Sequence, residues 1–294
     1  MISHFDDTIQ SVLTKRLIKL EQHFESDVIF FYGQIQPGME KFFRNFIEEL
    51  KEEKRKENES KDRLVIFLNT PGGSAETVEK LVEIIRFHYQ EVYFVVPDAA
   101  MSAGTIFCMS GDRIYMDYSS SLGPIDPQVR TEKGFVPALG YLDQVEKLLE
   151  KARNGTLTEA EFLILQKQDL AMLNQFEQVR NLTITLLKKW LVEYKFKDWE
   201  QHGTTPAKLG NPVTLEEKQE RAEEIATLLG DNKIWHSHGR MISMATLQKV
   251  LRLKIEDYSN DETLRELIRS YNDLTTEYIA KEQQPFFFHS KYFF

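Results

Sequence analysis

The segment VYFVVPDAAMSAGTIFCMSGDR, residues 92–113, predicts a buried strand, a short turn and an apolar helix in succession. Ser102 lies at the point where the turn gives way to the helix. The first N–H groups of a helix lack intrahelical partners, so they can bind a developing negative charge beside that hydroxyl. A nucleophilic serine needs such a setting, whereas the alternative interpretation is an ordinary helix N-cap, a position that serine favours.

A glycine pair follows the preceding predicted strand. Residues 64–68 are apolar and lead directly into Asn-Thr-Pro-Gly-Gly-Ser, residues 69–74. Glycine lets the backbone turn sharply and approach a ligand closely. If the two turns meet at neighbouring strand ends, the amides of Gly73 and Ala103 form an oxyanion hole of two donors facing Ser102. The alternative is a tight turn between a strand and a helix with no further role.

The order of the predicted elements indicates the fold class. Apolar strands at 27–35, 64–68, 92–96 and 113–116 alternate with helices. This order implies right-handed crossovers and a mainly parallel α/β sheet, whose ligands bind at the carboxyl ends of the strands. The later part of the chain is predicted as helices, including one long helix over 158–196 with an apolar stripe that fits a core or an oligomer seam.

The two ends of the chain are predicted as additions to this domain. The sequence divides into an N-terminal helix (1–26), a central domain (27–255) and a C-terminal segment (256–294) that begins with a charged helix. The last ten residues, PFFFHSKYFF, are apolar and have no evident partner inside the domain. We therefore expect the tail either to dock on a neighbouring subunit or to be a tethered end.

The composition narrows the class of protein. The chain of 294 residues is 41% hydrophobic with a net charge of −9, which fits a globular protein and disfavours a nucleic-acid partner. A single cysteine, Cys108, excludes an intrachain disulfide framework and fits a reducing compartment. No apolar run approaches the roughly 18 residues of a membrane span, so we predict a cytoplasmic protein without one. No metal-ligand pattern is evident, and we expect no metal or cofactor.

Candidate proton acceptors and their partners lie in two loops. Residues 119–128, SSSLGPIDPQ, are dense in turn formers around Asp126, which either caps a turn or orients a base. His236 and His238 lie together in a polar loop, KIWHSHGRMI, residues 233–242, where a plain surface histidine is the alternative.

These motifs resemble those of the Clp-protease/crotonase superfamily of serine peptidases. PGGSAETVEKLVEIIR (71–86) and VPDAAMSAGTIFCMSGDRIYMDYSSSLGPIDPQ (96–128) occur in the order that those enzymes use. Through SLGPIDPQ and IWHSHGRMIS, the closer resemblance is to the serine dehydrogenase proteinase family, relatives of the Clp proteolytic subunit and of signal peptide peptidase A. The resemblance covers roughly residues 27–255.

The resemblance implies a ClpP-like serine peptidase that hydrolyses peptide or protein substrates, with Ser102 as nucleophile and Gly73 and Ala103 as oxyanion donors. The Clp subunit has its histidine shortly after the nucleophile helix, where this chain has none. The Ser, Asp, His order of the serine dehydrogenase proteinase family instead fits Asp126 as the orienting carboxylate and His238 as the general base. His238 is preferred over His236 because of its spacing from Ile242.

Other interpretations stay open. Relatives of signal peptide peptidase A use a Ser/Lys dyad, and Lys147 and Lys151 fall in the region of that lysine. The alternative interpretation is that both are solvated surface lysines with no catalytic role. A catalytically silent oligomeric scaffold and acyl-CoA chemistry on the same fold are further candidates. The family also implies a homo-oligomer. Its archaeal members tend to carry an N-terminal membrane anchor, which this sequence lacks, so we expect a soluble form.

Overall fold

The computed structural model describes residues 4–131, 134–203 and 206–294. The strands of this part are β1 (Asp27–Gly33), β2 (Arg63–Asn69), β3 (Glu91–Val95), β4 (Ala99–Ala100), β5 (Arg113–Met116), β6 (Ser121–Leu122), β7 (Gln128–Thr131), β8 (Gly134–Pro137), β9 (Ile242–Ser243), β10 (Glu256–Asp257) and β11 (Phe286–His289). The helices are α1 (His4–Phe24), α2 (Glu40–Lys56), α3 (Ala75–His88), α4 (Ala103–Met109), α5 (Ala138–Arg153), α6 (Glu159–Gln166), α7 (Leu170–Trp190), α8 (Leu215–Gly230), α9 (Asn232–Trp235), α10 (Met244–Lys249) and α11 (Glu262–Lys281). A π-helical turn, Leu191–Lys195, continues α7, and a 3₁₀ turn covers Pro206–Lys208.

A six-stranded sheet in the order β10-β5-β3-β2-β1-β11 forms the centre of this part of the chain. The strands from β10 to β1 run parallel to one another, and β11 runs antiparallel to β1. The central strands are continuous apolar runs because helices cover both faces of the sheet. The predicted mainly parallel α/β sheet with crossover helices is confirmed.

Alternate residues of β1 belong to two separate hydrophobic cores. Ile29 and Phe31 pack on the face covered by α2, α3, α4, α7 and α8. Val28 and Phe30 point to the opposite face, where α1 and α11 pack. This alternation follows from the two-residue period of a strand. The terminal helices therefore form one of the two layers that enclose the sheet.

The C-terminal tail belongs to the same sheet. β11 pairs with β1 so that Phe288 lies opposite Phe31, and the two rings have centroids 4.4 Å apart. Phe288 is only 2% exposed. The prediction that the tail docks on a neighbouring subunit, or is a tethered end, is wrong. The tail instead covers the edge of β1, where unpaired N–H and C=O groups would otherwise face solvent.

The single long helix predicted over 158–196 is also wrong, because α6 and α7 are separate helices. Asp169 interrupts the pattern as the N-cap of α7, and its carboxylate accepts hydrogen bonds from the amides of Ala171 (2.8 Å) and Met172 (3.3 Å). The apolar stripe divides accordingly. Its later residues, such as Trp190, join the main core, whereas Phe176 packs against α5 at the carboxyl end of the sheet.

Candidate active site

Ser102 lies at a sharp turn between β4 and α4. Its backbone has φ 53° and ψ −115°, a conformation that few residues other than glycine adopt. Such strain costs of order 1–3 kcal/mol and persists only where the surroundings enforce it. The side chain makes no capping hydrogen bond to α4. The interpretation of Ser102 as an ordinary helix cap is therefore wrong.

The glycine turn after β2 lies directly against this serine. A Cβ added to Gly72, which has φ +105°, would lie 2.8 Å from the Ser102 Cβ and 3.3 Å from the Ala103 amide nitrogen. A Cβ on Gly73 would lie 1.9 Å from the Ile35 carbonyl oxygen. Neither position has room for a side chain. The two glycines are therefore needed so that the two turns can approach this closely.

Backbone hydrogen bonds join the two turns. The Thr70 amide donates to the Ala99 carbonyl at 3.0 Å, and the Met101 amide donates to the Thr70 carbonyl at 2.9 Å. The amides of Gly73 and Ala103 donate to no acceptor in the described part of the chain. Two unpaired N–H groups thus lie in the turns that meet at the serine, which is the arrangement an oxyanion hole requires.

His238 and Asp126 form a hydrogen-bonded pair. His238 Nδ1 lies 2.8 Å from Asp126 Oδ1, although the two residues are 112 positions apart in the sequence. Asp126 is 1% exposed, and its other carboxylate oxygen accepts a hydrogen bond from Gln128 Nε2 at 2.8 Å. The His238 side chain is 28% exposed. The carboxylate is therefore fixed in the interior while the imidazole reaches solvent.

A second, three-stranded sheet brings these residues to one place. Its order is β4-β6-β9, with β4 parallel to β6 and β6 antiparallel to β9. Ser102 comes shortly after β4, Asp126 shortly after β6, and His238 shortly before β9. Three segments that are remote in sequence are thus held together by one small set of backbone hydrogen bonds.

Thr105 strengthens this arrangement, and the sequence analysis did not identify it. Its buried hydroxyl lies 2.8 Å from the Ala100 carbonyl oxygen and 2.9 Å from the Gly123 carbonyl oxygen, and accepts a hydrogen bond from the Gly123 amide. It therefore links the serine turn to the segment that leads to Asp126. The available signal was a hydroxyl side chain inside an otherwise apolar helix. Gln128, which holds the carboxylate, was missed as well.

A cleft of about 820 Å³ contains Ser102, both glycines and His238. One wall comes from α7, where Met172, Phe176 and Val179 face the serine turn. The wall is mainly apolar, so the cleft can hold an extended chain with apolar side chains beside the hydroxyl.

The alternative bases lie elsewhere. Lys147 and Lys151 are exposed on α5, and Lys151 forms an ion pair with Glu161 at 2.5 Å. His236 is exposed at the end of α9, with φ 63°. No lysine of the described residues lines the Ser102 cleft. In the same part of the chain, no group of three or more His, Cys, Asp or Glu side chains is arranged to hold a metal ion.

A parallel sheet with crossover helices and a serine turn at its carboxyl edge defines a ClpP-like α/β fold. The chain belongs to the ClpP-like SDH-type serine proteinase family, whose family model matches residues 46–235. The resemblance to the serine dehydrogenase proteinase family is thereby confirmed.

Two curated relatives come from Methanocaldococcus jannaschii. The uncharacterized protein MJ0137 is 32% identical over 164 residues, which are 55% of this chain and 53% of the relative. The uncharacterized protein MJ1495 is 32% identical over 92 residues, or 31% of this chain and 30% of that protein. This chain thus spans about half the length of MJ0137.

Two solved structures are also similar. A serine-to-alanine mutant of the 1510-N membrane-bound stomatin-specific protease has a TM-score of 0.45 and 14% identity, covering 82% of this chain and 84% of that one. A lysine-to-alanine mutant of the same protease, in complex with a substrate peptide, has a TM-score of 0.43 and 15% identity, covering 82% of this chain and 79% of the other. In the described part of our chain, no helix is both long and apolar enough to cross a bilayer.

Proposed function

We propose that this protein is a serine peptidase in which Ser102 attacks the peptide carbonyl, His238 is the general base and Asp126 orients that base. The observation that carries the proposal is the convergence of the glycine turn, the strained serine and the His238–Asp126 pair. Strain at a serine with no capping bond is otherwise unexplained, since a structural turn would favour glycine at positive φ.

The proposed chemistry uses only groups of this chain and water. Asp126 accepts the Nδ1 proton of His238, so Nε2 is free to take the Ser102 hydroxyl proton as Oγ bonds to the carbonyl carbon. The resulting oxyanion is stabilised by the amides of Gly73 and Ala103. His238 then gives its proton to the leaving amine, and the peptide C–N bond breaks to leave an acyl-enzyme on Ser102. Water, deprotonated by His238, hydrolyses this ester and regenerates the serine.

One contact in this scheme has to form when substrate binds. The Ser102 hydroxyl makes no hydrogen bond to the described residues, and it lines the same cleft as His238. Catalytic hydrogen bonds are often long in the free enzyme and tighten in the complex. His238 is only partly buried and lies on a loop next to the fixed Asp126, which allows a small movement of the imidazole towards the serine.

The alternatives have less support. A Ser/Lys dyad needs a lysine in the cleft, whereas Lys147 and Lys151 are exposed and lie outside it. A silent scaffold or an acyl-CoA enzyme gives no role to the buried carboxylate beside His238. We further propose a peptide or protein substrate, a cytoplasmic location and a peptidase core at residues 27–255.

We also propose that the protein is a homo-oligomer. Phe162, Leu163 and Ile164 are consecutive on α6, and each is more than half exposed. A run of exposed large apolar side chains is typical of a surface that packs against another protein. Light scattering after size-exclusion chromatography tests this, since a monomer at micromolar concentration would contradict it.

Active-site labelling tests the nucleophile. A fluorophosphonate probe should label the wild-type protein and a Ser60→Ala control, whose serine is exposed in a charged loop. The Ser102→Ala variant should show neither labelling nor hydrolysis of a casein substrate. Equal labelling of Ser102→Ala and wild type would refute the proposal, provided that thermal unfolding shows both to be folded.

A further inference from the structure

A second cavity lies at the end of the main sheet opposite Ser102. It has a volume of about 440 Å³ and is lined by the start of β5, the π-helical turn after α7 with the segment that follows it (196–203), part of α8 and the segment that leads into β10. Arg113 is the first residue of β5, so the cavity lies at the amino ends of parallel strands, whereas Ser102 lies at the carboxyl ends. None of its lining residues belongs to the Ser102 cleft.

Positive charge dominates this cavity, although the whole chain carries a net charge of −9. Three carboxylates line it together with five cationic side chains: Arg113, Lys195, Arg221, Arg252 and Lys254. One of the carboxylates, Asp112, is already paired with residues outside the cavity, with Arg86 at 2.9 Å and Lys197 at 2.5 Å. Among the cations, Arg221 and Arg252 pair with Glu224, which lies outside the cavity, and Lys254 pairs with Glu256. This leaves Arg113 and Lys195 without an ion pair in the described residues.

Lys195 is the less exposed of these two cations, since Arg113 is exposed and its guanidinium lies over the Tyr93 ring. Its ammonium forms no hydrogen bond or ion pair with residues 4–131, 134–203 or 206–294. The π-helical turn places it here, since the Phe196 amide donates to the Leu191 carbonyl five residues earlier at 2.7 Å. Single π-helical turns occur often at functional sites because they redirect side chains that a regular helix would place elsewhere.

Aromatic rings supply the other part of the lining. Phe196 and Trp199 both line the cavity, with ring centroids 5.5 Å apart at an interplanar angle of 66°. Apolar walls with a few convergent charged groups are typical of sites for small organic ligands. The rings would contact a flat or apolar body, while the ammonium would bind a negatively charged group.

We propose that this cavity binds a small organic anion, with a phosphate or carboxylate group at Lys195 and an aromatic or apolar body against Phe196 and Trp199. The inference does not depend on the peptidase proposal, because it uses different residues at the other end of the sheet. It assigns a binding site to a region that the catalytic scheme leaves without a role.

The charge state of Lys195 agrees with this assignment. Burial is the main cause that lowers the pKa of Lys195, and Lys254 and Arg113 also lower it. Glu256 and Asp112 raise it, and the resulting pKa is about 8. An anion at the ammonium would raise this pKa again, so binding near pH 8 should take up protons. Calorimetry in two buffers of different ionisation enthalpy measures this uptake.

Isothermal titration calorimetry with four defined probes tests the proposal. AMP supplies a phosphate on an aromatic body, 2-naphthoate supplies a carboxylate on one, adenosine supplies the body alone, and inorganic phosphate supplies the anion alone. We expect AMP or naphthoate to bind more tightly than adenosine or inorganic phosphate, and which of the two binds identifies the anionic group. Lys195→Met should weaken binding at least about tenfold, because a charge-assisted hydrogen bond is lost.

Two further variants keep the test decisive. Lys254→Gln removes an exposed cation at the rim and should weaken binding by a smaller factor, and it serves as the test variant if Lys195→Met does not fold. Lys147→Met replaces an exposed lysine that does not line this cavity, and this variant should bind like wild type. The proposal is overturned if neither AMP nor 2-naphthoate binds. It is also overturned if adenosine binds as tightly as AMP while 2-naphthoate does not bind, or if Lys195→Met and Lys254→Gln bind the anions as tightly as Lys147→Met does.

Discussion

Replacing Asp126 with asparagine changes the proposed catalytic group almost without changing its shape. The carboxylate accepts hydrogen bonds on both sides, from His238 Nδ1 at 2.8 Å and from Gln128 Nε2 at 2.8 Å. Because Gln128 Nε2 can only donate, it selects the carbonyl oxygen of the new asparagine. The amide nitrogen then faces His238 and donates to Nδ1. The imidazole proton moves to Nε2, and the base that faces the substrate is lost.

The expected effect on catalysis is large. An imidazole in the wrong tautomer lowers kcat by on the order of 10⁴ in a Ser-His-Asp site, which is about 5 kcal/mol in activation free energy. The fold should be little affected, because Asp126→Asn keeps both hydrogen bonds and removes a buried charge. KM should change little, since Asp126 is buried behind the imidazole and does not contact the substrate.

Steady-state hydrolysis of a fluorogenic peptide, together with the rate of fluorophosphonate labelling, measures the effect. Asp143→Asn is the control, because the Asp143 side chain is 38% exposed, pairs with Lys233 at 2.6 Å and does not line the Ser102 cleft. Its kcat should equal that of wild type. If Asp126→Asn retains kcat within about threefold of wild type, the orienting role assigned to Asp126 is incorrect.

Three further perturbations address the turns, the charges and the tail. Gly72→Ala should lower kcat by at least about 10², since the new Cβ would lie 2.8 Å from the Ser102 Cβ and displace the nucleophile; unchanged peptidase kinetics would contradict the close approach. Burial alone would raise the pKa of Asp112, but its arginine and lysine partners hold it below the ordinary value of 3.8. Because the folded-state pKa is depressed, the stabilisation is present above the unfolded-state value and lost as pH falls through the folded one. In urea titrations, Asp112→Asn should therefore cost about 3 kcal/mol at pH 7, and the cost should shrink steadily as the pH falls below the ordinary value of 3.8; a cost that does not change with pH would contradict this. Phe288→Ala should lower the free energy of unfolding by about 3–5 kcal/mol, against under about 0.5 kcal/mol for the 84% exposed Phe87→Ala; equal losses would contradict a buried tail.

The central strands β1, β2 and β3 were predictable because each is a continuous apolar run, whereas the two acidic residues of the edge strand β10 give no such signal. Parallel strands buried on both faces need no polar alternation, and runs such as residues 64–68 satisfy this. The edge strand β11 was not predictable in the same way. Its pairing with β1 joins segments about 250 residues apart, and nothing local in PFFFHSKYFF indicates which edge it covers. The sequence alone therefore predicts that the tail docks on a neighbouring subunit or is a tethered end.

Helix breaks depend on single side chains that compete with periodicity. The apolar spacing over 158–196 predicts one helix, yet Asp169 caps a new one because its carboxylate binds the next free amides. In retrospect, an aspartate just before a second apolar run was the local signal.

The candidate site also has one part that the local sequence predicts and one part that it does not. The serine and glycine turns were identified from local chemistry, because each combines small residues with a strand end. The choice of His238 over His236 came from the family resemblance, since two histidines in one polar loop are equivalent by composition. What distinguishes them is the pairing of β6 with β9, which brings His238 to Asp126 and leaves His236 exposed.

A crystal structure of the protein phosphonylated at Ser102 tests the central claim most directly. The phosphonate mimics the tetrahedral intermediate, so one of its oxygens should lie about 2.7–3.1 Å from both the Gly73 and Ala103 amide nitrogens. His238 Nε2 should lie within about 3.2 Å of the Ser102 Oγ or of the leaving-group position. An adduct whose oxygen faces away from both amides, or with His238 still beyond hydrogen-bonding distance, would contradict the account.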